Sequence, residues 1–354
     1  MADKSAIEWT DATWTPIRAR VWEIQDDGSG KERIGWHCEH ASEGCRFCYA
    51  EGFNRRLGTG RDFKPGELYR EEKRGYNNGE VKLFLDDEML TAPLRWKKPR
   101  MVFVCSMTDL FADFVPDEWV DRVFAVMALA PQHTFQVLTK RAARMRMYVS
   151  GFECDGARRL NVADAAGRMM EDGDNAHDYV ANLDWPLKNV WLGVSAERQQ
   201  EADERIPQLL ATPAAIRFVS AEPLLGPLDI SKYLRPLCDR CPPWEVPCRI
   251  GCQHCARLDW VIVGGESGPE ARPMHPAWAR SLREQCANNR VSFFFKQWGA
   301  YRPLTPAERN QACGATLIGK DPYDRDAHVL RVGKKAAGRL LDGIEHNGMP
   351  EARS

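Results

Sequence analysis

Six times along the chain a short, nearly continuous apolar run ends in a polar cluster and gives way to residues of helical periodicity. The runs are "VFVCSMTDL" (102–110), "TFQVLTKR" (134–141), "VWLGVSAE" (190–197), "IRFVSAEPLLGPL" (216–228), "DWVIVGGESG" (259–268) and "VSFFFKQWG" (291–299). Runs of this length and character suit parallel strands buried on both faces. A weaker run, "VKLFLD" (81–86), and some part of 14–36 are expected to supply further strands. Between the runs, "VPDEWVDRVFAVMALA" opens on Pro116-Asp117-Glu118 and places Trp119, Val123 and Met127 on one helical face. "AERQQEADERIPQLLA" (196–211) and "HPAWARSLREQCANNR" (275–290) do the same after later runs.

Strand alternating with helix predicts a parallel α/β protein. Without a dinucleotide-type glycine fingerprint, the pattern favours a (β/α) barrel, complete or partial and TIM-like, over residues 1–300. Chemistry in such folds collects at the carboxyl ends of the strands, where the polar clusters fall. Three regions depart from the rhythm. Residues 151–184 read as an irregular helical insertion, residues 232–258 as a small cysteine-rich, metal-binding insertion, and residues 301–354 as a basic, glycine-containing C-terminal extension. No solenoid repeat and no low-complexity tract is present.

Composition changes this picture little. At 354 residues, with 44% hydrophobic and 28% charged positions, the chain resembles an ordinary globular protein. A net charge of −1 means that any affinity for nucleic acid must come from local basic patches. No apolar signal core and no membrane-length apolar run is found, so a cytoplasmic protein with no membrane partner is expected.

That location bears on the 12 cysteines. Reducing conditions disfavour structural disulfides and make clustered thiols metal ligands or redox groups. Four stand alone: Cys154, Cys286 and Cys313 read as small buried hydrophobes, and Cys105 sits near a strand end. The others form two clusters. In "HCEHASEGCRFCYAEGF" (37–53), Cys38-x6-Cys45-x2-Cys48 offers three thiolates and no clear fourth. Zinc would need a closed tetrahedron, which His37 or His40 would have to complete. A [4Fe–4S] cluster on three thiolates would keep one iron open for a substrate or cofactor. Three unrelated thiols are the remaining alternative.

"AIEWTDATWTP" followed by "EGCRFCYAE" resembles the opening of a phage-associated three-cysteine-motif family whose reaction is unassigned. The similarity continues through "SMTDLF", "LTKR", "VWLGVS", "RFVSAEPLLGP", "DWVIVGGESG", "RPMH" and "FFFKQWG", covering most of residues 6–300. That family is in turn similar to radical S-adenosylmethionine (SAM) enzymes, with spore photoproduct lyase, a DNA-repair member, as a distant cousin. The resemblance implies that Cys38, Cys45 and Cys48 hold the [4Fe–4S] cluster, that SAM occupies the open iron, and that an electron donor reduces it. Phe47 matches the aromatic usual before the last cysteine; packing of the loop explains it equally. Two departures are plain. The first spacing is six residues where three is usual, and no Gly-Gly-Glu follows 81–86, where such enzymes hold the SAM amino group. Gly264-Gly265-Glu266 has that composition but lies on a late strand. A SAM-independent iron–sulfur enzyme acting in redox or light-dependent nucleic-acid repair is one alternative; a non-catalytic, metal-stapled nucleic-acid-binding protein is another.

The second cluster pairs Cys238-x2-Cys241 with Cys252-x2-Cys255 and leaves Cys248 over. Two such knuckles suit zinc, with an auxiliary iron–sulfur cluster as the rival. The segment has little apolar content of its own, so metal binding would supply its folding energy.

At the ends of the predicted strands stand Ser106, Asp109, Lys140, Arg141, Ser195, Glu197, Ser220, Glu222, Glu266, Lys296 and Gln297. Lys140 and Lys296 suit a carboxylate or phosphate, and Glu222 and Glu266 a hydroxyl, an amino group or proton transfer; these four are the catalytic candidates. Ser106, Asp109, Ser195, Glu197 and Ser220 are candidates for cofactor contact, and Gly264 and Gly265 for close ligand approach. Helix capping and loop ion pairs would account for about half of these residues, and a plain turn for the glycines. Basic stretches with nearby aromatics ("FNRRLGTGRDFK", "RWKKPR", "KRAARMRMY") suit either a solvated surface or a nucleic-acid or nucleotide substrate.

Overall fold

The computed structural model describes residues 5–25, 27–65, 80–154, 156–235, 256–304, 308, 314–318 and 327–351. The chain divides into two compact units, Met1–Trp191 and Leu192–Ser354. Residues 236–255 of the cysteine-rich insertion, with Cys238, Cys241, Cys248, Cys252 and Cys255, lie outside the described residues, as does Cys313.

The first unit opens with β1 (Ala12–Trp14), the hairpin β2 (Ile17–Ile24) and β3 (Gly30–Gly35), and helix α1 (Tyr49–Leu57). Strand β4 (Val81–Leu85), the short α2 (Asp87–Leu90), β5 (Met101–Val104), α3 (Asp117–Leu129) and β6 (Thr134–Thr139) follow. Helices α4 (Ala142–Cys154), α5 (Ala157–Met169) and α6 (Gly173–Ala181) then lead to β7 (Val190–Ser195), within which the division falls. The second unit continues with α7 (Gln199–Leu210), β8 (Ile216–Ala221), the short α8 (Ser231–Leu234), β9 (Trp260–Gly264), α9 (Pro276–Asn288) and β10 (Ser292–Gln297). It ends with β11 (Tyr301–Pro303), β12 (Thr316–Ile318), β13 (Ala327–Arg331) and the short α10 (Lys334–Ala337).

Seven strands form one parallel sheet in the order β1-β5-β6-β7-β8-β9-β10. All six apolar runs are strands of it, and β7 and β9 are buried at every position, as strands covered on both faces require. The α/β class is therefore as expected, and the linear order of seven strands fits the partial form of the barrel.

Two expectations need correction. Residues 81–85 are a strand, as expected, but not one of the main parallel sheet. They pair antiparallel with β2 in a separate three-stranded sheet, β3-β2-β4. The cause is visible in β2, "IRARVWEI", whose burial alternates along the strand: only one face, with Ala19 and Val21 packed on Val81, belongs to a core. The strand of the main sheet nearest the N-terminus is the three-residue β1, so the cysteine loop follows the β2–β3 hairpin and not the first sheet strand. Residues 151–184 are also more regular than expected. Helices α5 and α6 pack on each other and on α3, burying Val162, Ala163, Ala165 and Ala166.

Helix α3 starts where its Pro-Asp-Glu signal places it, with Val123 and Met127 fully buried and Trp119 half-buried. In the second unit the C-terminal segment is built onto the sheet edge. Phe295 N–H donates to His346 O at 2.9 Å, Gly348 N–H to Phe293 O at 3.0 Å, and the Trp260 indole to Gly348 O at 2.8 Å. An edge strand offering free backbone groups is thereby paired. No helix among the described residues is long and apolar enough to cross a membrane.

Candidate functional site

The cysteine loop in the first unit is fastened at four places. On its N-terminal side Thr108, just past the end of β5, donates from Oγ1 to His37 O at 2.6 Å. Arg141, just past the end of β6, donates from Nη2 to Glu39 O at 2.8 Å. The carbonyls on both sides of Cys38 are thus held from two strand ends. At the other end Tyr49, the residue after Cys48, donates its hydroxyl to Ser106 O at 2.7 Å. At the base Trp36 N–H donates to the buried Asn54 Oδ1 at 2.9 Å, and Asn54 Nδ2 donates to Thr59 Oγ1 and Arg61 O.

Asp109, one of the expected cofactor contacts, orients this framework and is itself saturated by protein donors. Its Oδ1 accepts from Thr139 Oγ1 at 2.6 Å and Phe111 N–H at 3.0 Å; its Oδ2 accepts from Lys140 N–H at 2.9 Å and Arg141 Nη1 at 3.5 Å. The carboxylate joins the ends of β5 and β6 and aims the Arg141 fork at the loop. Glu51, in the first turn of α1, is a second buried carboxylate with full occupancy. It accepts from Phe63 N–H at 2.8 Å, His40 Nε2 at 3.2 Å and Arg55 at 3.4 Å. Thr108, Glu51 and Asn54 were not among the sequence candidates. The Glu of "CYAE", one helical turn after Cys48, was the available signal.

The three loop thiols lie in one another's field. Burial pushes the Cys38 thiol up, Asp109, Cys48 and Cys45 add to this, and Arg141 opposes it. Burial likewise raises Cys48, with Cys45 adding to it and Lys140 pulling the other way. Cys105, buried at the end of β5 with φ of 55°, is raised by burial, Asp109 and Cys38. Such thiols stay protonated unless a cation draws the proton off. Of the two histidines offered as a fourth zinc ligand, His40 is engaged by Glu51. His37 is buried between the Phe63 and Phe114 rings, and burial lowers it to about 4. Among the described residues no group of three or more His, Cys, Asp or Glu side chains, the three loop cysteines included, is arranged to hold a metal ion. Lys140 and Arg141 lie close enough to the loop to act on the Cys48 and Cys38 thiols. Phe47 is half-buried under the Arg46 guanidinium, 5.2 Å from its ring centre.

The second unit carries the other strand-end residues, and most of them are engaged. Glu197 is fully buried and accepts from Arg205 Nη1 at 3.2 Å, and Arg205 also holds Ser195 O at 3.0 Å. Ser220 is buried, with its carbonyl accepting from Ala196 N–H. Glu266 is held by Arg272 through the backbone N–H, Nε and Nη2, each at 2.8 Å. Glu197 and Glu266 are thus each paired with an arginine of their own unit. The glycines are also explained by protein neighbours. A Cβ on Gly265 would lie 2.0 Å from Trp298 O, and one on Gly264 would lie 3.0 Å from the Glu222 carboxyl carbon.

Glu222, Lys296 and Gln297 do form a group. Lys296 Nζ donates to both Glu222 oxygens, at 2.7 and 2.9 Å, and Gln297 Nε2 approaches Oε1 at 3.3 Å. The pair is half-buried, and Gln297 is fixed by accepting from Gly299 N–H at 3.1 Å.

Residues 33–350 match a family described as a protein of unknown function, DUF5131. The chain belongs to the DUF5131 family. The match takes in the cysteine loop, every strand of the main sheet except β1, and the C-terminal segment that covers β10. No curated protein and no solved structure matches the chain.

Proposed function

We propose that this DUF5131 member is an iron–sulfur enzyme of radical SAM type acting on a nucleobase or nucleic acid. The observation that carries the reading is the fastening of Cys38 from two strand ends, with Cys45 and Cys48 close enough to raise its thiol. Cys38, Cys45 and Cys48 would hold the [4Fe–4S] cluster, whose bound form supplies reductive cleavage of SAM and hydrogen abstraction from the substrate. The chain's own contribution is positioning. Thr108 and Arg141 restrain the backbone around Cys38, Tyr49 fixes the start of α1, and Lys140 and Arg141 favour the deprotonated thiols that ligation needs. In the second unit, Glu222 and Lys296 form a fixed charge pair with Gln297 as a neutral donor, a set suited to hydroxyl and amino groups of a polar ligand.

Anaerobic purification tests the proposal. The expected result is a brown protein containing iron and acid-labile sulfide, both lost in Cys45→Ala, and forming 5′-deoxyadenosine with SAM and dithionite. A colourless protein containing only zinc after anaerobic reconstitution would overturn it. Iron and sulfide without SAM cleavage would leave the cluster and remove SAM.

A further inference from the structure

The outward face of the β3-β2-β4 sheet alternates rings and cations. We infer that it is a stacking platform for single-stranded nucleic acid. This rests on the nucleic-acid part of the proposed function and names the surface that would carry the strand.

The strand register places Ile34, Arg20 and Lys82 in one row across the three strands, and Arg18 beside Phe84 in the next. The opposite face carries Ala19, Val21 and Val81 and is the packed one. A solvated face of an antiparallel sheet is ordinarily polar. Here Trp22 is 45% exposed, Ile34 45% and Ile24 58%. The Trp22 indole lies over Gly30, where a Cβ would sit 2.1 Å from the ring. Glycine at that position lets the indole lie against the strands and present its outer face.

Cations are interleaved with the rings. The Arg20 guanidinium is 5.2 Å from the Phe84 ring centre, and Arg18 is 4.9 Å from that of Trp36. Trp36 meets Phe53 of α1 at 5.9 Å, and Arg56 covers Phe53 at 5.8 Å. The series therefore passes from the sheet to the exposed face of α1, where Tyr49, Phe53 and Leu57 recur every four residues. That helix begins immediately after Cys48. On the strands' outward positions Arg18, Arg20 and Lys82 outnumber the one outward acid, Glu32, which meets Arg20 at 3.6 Å; Arg18 also pairs with Asp86 at the end of β4 at 3.8 Å and donates to Gly35 O at 3.1 Å. Unstacked bases can lie on rings while arginines and lysine meet the phosphates. A duplex, with its bases already stacked, cannot use such a surface. A protein partner would be served by the isoleucines but would need no alternation of guanidinium with ring.

The test uses the full chain and fluorescence anisotropy with a labelled thymidine oligonucleotide, its RNA counterpart and a matching duplex. The single strands should bind and the duplex only weakly; the preferred sugar distinguishes DNA from RNA. Trp22→Ala should weaken binding by about tenfold or more, the usual effect of removing one stacking ring. Arg20→Glu combined with Arg56→Glu should weaken it and flatten its salt dependence, while Trp22→Phe restores most of the affinity. Thermal melting of each variant separates lost binding from lost fold. No single-strand binding at low salt, a preference for duplex, or unchanged affinity in folded variants would overturn the inference. Iron and sulfide are measured on the same anaerobic preparation used for binding. A protein that lacks iron and sulfide yet loses single-strand affinity in Trp22→Ala would therefore refute the radical SAM reading and support this one.

Discussion

Arg141 donates to the carbonyl oxygen of Glu39 at 2.8 Å, across 102 residues of sequence, while Asp109 holds the other arm of the same guanidinium at 3.5 Å. A lysine has the charge but cannot form both bonds in that fixed geometry. Arg141→Lys should therefore leave the fold intact and loosen Cys38. Thr108→Val removes the matching bond on the other side of Cys38 and should act in the same direction. Outer partners of metal ligands are typically worth about 10- to 100-fold in metal affinity. Iron retained during chelator challenge after reconstitution checks this, with melting temperature as the control.

The buried Glu51 makes a different prediction, because it stabilises the loop's base whether or not a metal is present. Its oxygens accept from Phe63 N–H, His40 and Arg55. Glu51→Gln turns one acceptor into a donor facing donors, which for buried groups costs about 1–3 kcal/mol. Urea denaturation of metal-free protein should show this loss. An unchanged midpoint would mean that the bonds to Glu51 add nothing to the stability of the fold.

The legible and illegible parts of this molecule divide along physical lines. The strands β5 to β10 could be read from sequence because burial on both faces leaves an apolar run that no other element explains. Of the β2–β3–β4 sheet only the strands were legible, at 81–86 and within 14–36; their antiparallel pairing was not, because it joins Ile17–Val21 to Val81–Leu85 across a long stretch of chain. The three cysteines announced themselves by residue type and spacing. Thr108 and Arg141 gave no such signal for their roles, because they bond backbone carbonyls 71 and 102 residues away, and carbonyls carry no sequence identity. Glu197, Glu266 and Asp109 show a related limit, each being paired with an arginine of the chain. A carboxylate at a strand end looks the same in sequence whether it faces a ligand or an arginine of its own chain.

Gly264 and Gly265 are adjacent yet should differ sharply when substituted. An added Cβ at Gly265 meets the backbone oxygen of Trp298 at 2.0 Å, and backbone cannot step aside without disturbing the bond from Gly265 N–H to Gln297 O at 2.9 Å. Gly265→Ala should therefore lower the melting temperature severely or prevent soluble expression. At Gly264 the nearest atom is the Glu222 carboxyl carbon at 3.0 Å, the movable end of a side chain. Gly264→Ala should fold, with the Glu222–Lys296 pair displaced.

That pair has its own signature. Lys296→Met leaves the Glu222 carboxylate half-buried without its cation and should cost less than the about 3–5 kcal/mol typical of a fully buried pair. Glu222→Gln removes the charge but keeps the shape. The double variant should recover part of the loss seen in Lys296→Met, because no unpaired charge remains. Denaturant titration of the single and double variants gives the coupling directly, and additive effects would show that the two side chains act separately.

Asp342 predicts a pH dependence. Arg280 donates to its carboxylate from Nε at 2.9 Å and Nη2 at 2.7 Å, and Arg283 from Nη1 at 2.8 Å, joining the C-terminal segment to α9. The hydrogen bonds from Arg280 hold Asp342 below the ordinary aspartate value; burial opposes them, and Arg283 adds to the lowering. A carboxylate lowered on folding contributes its full stability above the unfolded value, near 3.8, and loses it as pH falls through the lower folded value. The contribution should thus be constant from neutral pH to about pH 5 and fade only below about pH 4. The side chains are exposed by 26% to 43%, so screening limits it to about 0.5–1 kcal/mol. Asp342→Asn keeps the side-chain shape in the left-handed conformation at φ of 55° and removes the charge. Its melting temperature should fall below that of the unaltered protein at pH 7 and converge with it toward pH 3. A constant gap across that range would assign the effect to packing and not to the ion pair.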